Sequence, residues 1–229
     1  MSKRLAVTIE DLRTIEPRTS TQGSFWKNWK EYDVHVLSGY AGTGKSFISV
    51  YKALEDILGV NRKFKQLIII RSAVPTRNIG ALPGDLEIKG SVYEAPYYEI
   101  CADLFRRADS YERLKAQGKI HFCLTSYIRG ITFDNSIILV DEMQNMNYHE
   151  LYSVMTRVGE NSKIVFCGDF RQADTKDTGI DKFLKVLERM RNTKSVMYSF
   201  FIGDILRSQI VKDFIIADEE LKSIKESKK

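Results

Sequence analysis

The octapeptide GYAGTGKS, residues 39–46, decides how this chain is read. It consists of Gly39, four residues, Gly44, Lys45 and Ser46. A largely apolar run, residues 34–37, precedes it, and an amphipathic run, residues 47–58, follows. The order predicted is therefore strand, tight loop, helix. Gly39, Gly42 and Gly44 let the backbone N–H groups of the loop, Tyr40, Ala41 and Thr43 included, turn inward around a polyphosphate. The new helix adds its N-terminal N–H groups and the positive end of its dipole. Lys45 is then placed to reach the β and γ phosphates, and the Ser46 hydroxyl to ligate Mg²⁺.

Moving outward, three further apolar runs end in polar residues. IILVDEMQNM, residues 137–146, puts Asp141 and Glu142 at the carboxyl end of a buried strand. Such a pair suits one carboxylate holding Mg²⁺ and a second deprotonating an attacking water. KIVFCGDFRQAD, residues 163–174, ends in Gly168 and Asp169, and Gln172 follows as an amide able to contact the γ phosphate or the water. LIII, residues 67–70, ends at Arg71, on the edge where open parallel sheets bind ligands. Charge on a transferring phosphoryl group calls for an arginine, and Arg207 in GDILRSQIV is the candidate by position, with Arg71 and Arg129 as alternatives. Arg71, Arg77 and Arg129 are also the candidate nucleic-acid contacts. Gln22, at the end of EPRTSTQ, carries an amide that could read an adenine edge.

Helical spacing is expected near residues 25–32, 47–58, 97–107, 111–117, 148–158, 180–190 and 205–216. Strands are expected at 34–37, 67–70, 121–125, 137–140, 163–167 and 196–201. This alternation predicts an α/β fold, a mostly parallel sheet with helices on both faces. The organisation expected is an N-terminal segment, 1–33, one domain over 34–217 with a loop and helical insertion at 72–120, and a charged flexible tail, 218–229. Residues 74–90 read as a long loop punctuated by Pro75, Gly80, Pro83, Gly84 and Gly90.

Composition sets limits on the rest. At 43% hydrophobic and 28% charged the chain is ordinary for a globular protein, and no apolar run approaches the ~20 residues of a membrane span. The first residues lack a signal-peptide pattern, so a cytoplasmic location is expected. Cys101, Cys123 and Cys167 are odd in number and widely spaced, which excludes a disulfide framework or zinc cluster and suits a reducing compartment. A net charge of +5 permits contact with nucleic acid.

The segments GYAGTGKS, RSAV, LPGDLEIK, YIRGITFDNSIILVDEMQN, SKIVFCGDFRQAD and DILRSQIV together resemble the PhoH-like ATPases, themselves similar to the first motor domain of superfamily-one helicases. The resemblance covers residues 18–211. It implies a RecA-like P-loop NTPase core that hydrolyses ATP, assembles as rings and is linked to RNA or DNA metabolism, with Gln22 in the position of an adenine-reading glutamine. The chain departs from the family pattern at Ser72, Met143 and Ser208. After Asp174 only 55 residues follow, too few for a second motor domain of ~150 residues. The expectation is therefore a homo-oligomer, a hexameric ring being one form, with Arg207 or a neighbour completing the site in trans. A P-loop small-molecule kinase and a nucleotide-regulated RNA-binding protein with negligible turnover are the alternatives. A GTPase is disfavoured because no NKxD motif is present.

Overall fold

The computed structural model describes residues 6–60, 63–72, 86–170 and 179–226, with side chains described for all of these except 86–91 and 222–226. Six strands form one sheet: β1 (Val34–Gly39), β2 (Gln66–Arg71), β3 (Ile120–Leu124), β4 (Ser136–Val140), β5 (Lys163–Gly168) and β6 (Ser195–Phe200). Their order is β3-β2-β4-β5-β1-β6, and every pairing is parallel. This is the α/β architecture of a RecA-like P-loop core, as the sequence predicts. All six strands expected from the apolar runs are present.

Side chains alternate across a strand, so each central strand feeds two cores. Leu67 and Ile69, Ile137 and Leu139, and Val165 and Cys167 join one; Ile68 and Ile70, Ile138 and Val140, and Ile164 and Phe166 join the other. The first core is covered by α1 (Ser20–Asn28), α2 (Lys45–Leu58), α3 (Leu86–Phe105) and α4 (Ser110–Ala116). The second is covered by α5 (Tyr148–Met155) and α6 (Ile180–Glu188), through Leu151, Val154, Phe183 and Leu187. Each fully buried Leu, Ile or Phe contributes roughly 1.5–3 kcal/mol, so the two cores together hold the sheet rigid beneath the loops at its carboxyl edge.

Three helices differ from the sequence expectation. The first starts earlier, at Ser20, because the Thr19 side chain accepts from the backbone N–H of Gln22 and caps it. Helix α3 starts at Leu86, ahead of the helix expected near 97–107, and runs through Gly90, which reads from the sequence as loop punctuation, and through Pro96. Tyr97, Cys101 and Leu104 all lie within the first core, and that burial outweighs the local penalty of a proline. The last helix, α7 (Gln209–Glu226), begins after a 3₁₀ turn, Ile202–Asp204, and continues past Ile216 into the charged residues. Leu206 N–H donates to the Gly42 carbonyl at 2.9 Å instead of entering a helix, which delays the start of α7. The N-terminal segment crosses α3 and α4: Arg13 pairs with Asp103 at 2.7 Å, and the Gln117 amide bonds both the N–H and the carbonyl of Val7.

Candidate nucleotide site

The sheet order sets the site. Strand β5 lies between β1 and β4, so the loop after β1, the acidic pair after β4 and the turn after β5 emerge side by side at one edge. Gly39, Gly42 and Gly44 have φ of +138, +76 and +82°. Only glycine takes these angles without strain, and here the space is also filled. A Cβ on Gly39 would lie 2.0 Å from the Phe200 carbonyl oxygen, and one on Gly42 would lie 2.6 Å from Arg207 Cγ. Ala41, Gly42, Gly44, Lys45 and Ser46 line a cleft of about 690 Å³; Gly39, Tyr40 and Thr43 shape the loop from behind.

Lys45 Nζ donates to the carbonyl oxygens of Gly39 and Tyr40, at 2.7 and 2.8 Å, and so closes the loop on itself. Burial pulls its ammonium below the usual lysine range, while Cys167, Asp169, Glu142 and Asp141 act in the opposite direction. Ser46 Oγ donates to Asp141 Oδ1 at 2.8 Å. The same oxygen accepts from the Glu142 N–H at 3.1 Å, and Asp141 Oδ2 accepts from the Tyr97 hydroxyl at 2.7 Å. Glu142 adopts a left-handed backbone, φ 55 and ψ 43°, a strained conformation for a residue with a Cβ. Its Oε2 accepts from Gln144 Nε2, and Gln144 Oε1 in turn accepts from the Asp169 N–H at 3.1 Å. Gln144 thereby ties the acidic turn of β4 to the end of β5.

Gln22 is buried against the loop. Its Nε2 donates to the Thr43 carbonyl at 3.0 Å and its Oε1 accepts from the Arg18 N–H at 2.8 Å. One amide hydrogen and one oxygen lone pair remain for a ligand. Ile15, Phe47, Pro96 and Ile100 add apolar surface to the cleft that Gln22 also lines.

The structure thus brings Gln22, Lys45, Ser46, Arg71, Asp141, Glu142 and Arg207 to one cleft. Arg207 lines the cleft from within the chain, with its side chain against Gly42. Arg71 Nη1 donates to the Tyr93 carbonyl at 3.1 Å and sits over the Tyr93 ring. Arg129 is exposed and does not line the cleft. Gln172, Arg77 and the LPGD segment lie outside the described residues. Sequence reasoning missed the roles of Tyr97 and Gln144. Tyr97 carried no signal beyond a helical apolar face, whereas Gln144 stood in the DEMQN block and could have been singled out.

The residues fit a nucleotide with a hard divalent cation. Ser46 and Asp141 offer hydroxyl and carboxylate oxygen, the ligand type Mg²⁺ selects, and the glycine cradle leaves backbone N–H groups unobstructed.

The family model described as PhoH-like protein matches residues 14–219. A PhoH-like protein of Synechocystis sp. is 30% identical over 207 residues, which cover 90% of this chain and 62% of that protein. A PhoH-like protein of Bacillus subtilis is 34% identical over 179 residues, 78% of this chain and 55% of the relative. Protein PhoH of Escherichia coli is 28% identical over 203 residues, 87% of this chain and 57% of the relative. The chain therefore spans somewhat over half the length of these relatives.

Proposed function

The chain belongs to the PhoH-like family, and from the geometry of its cleft we propose that it hydrolyses ATP with Mg²⁺ as cofactor. The observation that carries this reading is the contact of Ser46 with Asp141, with Glu142 held beside it in a strained turn facing the phosphate loop. Ser46 and Asp141 are the residues that would hold Mg²⁺, which would supply neutralising charge to the phosphates.

The remaining roles belong to the chain itself. Lys45 exchanges the carbonyls of Gly39 and Tyr40 for phosphate oxygens. Glu142, with Oε2 engaged by Gln144, keeps Oε1 to take the proton of the attacking water. Arg207 supplies positive charge from within the same chain, Gln172 contacts the γ phosphate or the water, and Gln22 meets the adenine edge. Coupling to single-stranded RNA or DNA, assembly into a homo-oligomeric ring and a cytoplasmic location complete the proposal. They are supported by the family resemblance and by the net charge of +5. No helix among the described residues is long and apolar enough to cross a membrane.

Phosphate release from ATP tests the reading. Release is expected with Mg²⁺, without any added acceptor, and is lost with a chelator. A requirement for an acceptor would turn the assignment to a kinase. Stimulation by single-stranded RNA or DNA that weakens with salt would support phosphate contacts to the nucleic acid.

A further inference from the structure

Helix α3 forms a side wall of the cleft that no strand-end motif accounts for. Pro96 and Ile100 line the cavity, and Tyr93 and Tyr97, four residues apart and so on one helix face, hold two residues of the sheet edge. Tyr93 engages Arg71 through its carbonyl and its ring. Tyr97 is fully buried and its hydroxyl donates to Asp141 Oδ2 at 2.7 Å. The Asp141 carboxylate therefore has its rotation fixed from both sides: Oδ1 by Ser46 and the Glu142 N–H, Oδ2 by Tyr97. A phenylalanine in place of Tyr97 would pack equally well against Phe122 and the first core, so packing alone does not explain the hydroxyl.

We propose that Tyr97 is a positioning residue for the metal site: its hydroxyl locks Asp141 so that Oδ1 faces Ser46, and α3 is the strut that carries it. The inference rests on the proposed nucleotide reading and adds to it a residue outside the strand-end motifs. It acts through Asp141 and touches neither nucleotide nor water.

The test is nucleotide binding by the full chain, measured with a fluorescent, non-hydrolysable ATP analogue in chelator and across a Mg²⁺ titration. For Tyr97→Phe, affinity in chelator is expected to match wild type. The tightening produced by Mg²⁺ is expected to fall about three- to tenfold, the net worth of roughly one ordinary hydrogen bond, because the loss reaches the metal only through Asp141. In an Asp141→Asn background the same substitution is expected to change the Mg²⁺ response no further. Full Mg²⁺ tightening in Tyr97→Phe would overturn the assignment, as would an equal loss in chelator and in Mg²⁺, or an additive loss in the double variant. A wild type without Mg²⁺-linked binding would instead overturn the nucleotide reading itself, and the role of Tyr97 with it. If Tyr97→Phe unfolds early in a thermal melt, the comparison of Asp141→Asn with its double variant is made below that temperature and decides alone.

Discussion

Gly39 ends β1 in a conformation that only glycine holds without strain, against a carbonyl oxygen that leaves no room for a methyl group. Gly39→Ala is expected to lower the stability by on the order of 2–4 kcal/mol, because the φ penalty and the clash with Phe200 fall on one residue. A urea titration measures this, and a loss below about 0.5 kcal/mol would contradict the geometry. Residues such as Gly39, Lys45, Ser46, Asp141 and Glu142 were legible because their spacing along the chain is itself the chemistry. Tyr97 was not, since 44 positions separate it from Asp141 and its hydroxyl sits on an otherwise apolar helix face. Arg129 follows a strand end as Arg71 does, yet it is exposed and lies outside the cleft lining.

At the scale of elements, the seam between α1 and β1 holds a buried histidine. His35 stacks on Trp29 and Tyr198 and meets the edge of Phe25. Lys163 Nζ lies 3.4 Å from its Nε2 and donates to the carbonyls of Trp29 and Tyr32 at the end of α1. Burial, aided by the Lys163 charge, pushes the imidazole from 6.5 down to about 3. Its folded value is depressed, so below pH 6.5 the unfolded chain takes up a proton that the folded chain refuses. Stability should therefore fall with falling pH between 6.5 and 3, by about 1.4 kcal/mol per pH unit, and be unaffected by this group above 6.5. His35→Phe should remove that slope when urea titrations are compared at pH 7, 6, 5 and 4; parallel curves for the two proteins would refute it. Strands were the most legible elements, since a parallel strand buried on both faces shows as an unbroken apolar run. Helix ends were less so. The start of α3 was hidden because Gly90 reads locally as a break, while burial of its far face acts through residues distant in sequence. The start of α7 was hidden because Leu206, three residues before it, bonds the phosphate loop.

At the scale of the whole molecule, one chain brings Gln22, Lys45, Ser46, Arg71, Asp141, Glu142 and Arg207 to one cleft. Arg207 and Leu206 rest on the loop of their own chain, through the Gly42 contact and the Gly42 carbonyl. Mixing inactive Arg207→Ala with inactive Lys45→Ala should consequently restore no turnover, because neither chain holds a complete set. Recovery approaching a quarter of wild-type activity in an equimolar mixture would show that the arginine crosses between subunits. The sheet order, with β5 between the loop strand and the acidic strand, was not written in any single motif; it follows from pairing across the whole sheet. That order places Glu142 beside the phosphate loop, and the account turns on Glu142 as the base. The most direct test is Glu142→Gln with ATP and Mg²⁺, reading nucleotide affinity and phosphate release together. The account predicts affinity near wild type with release reduced about 10²- to 10⁴-fold; undiminished release in that variant would contradict it.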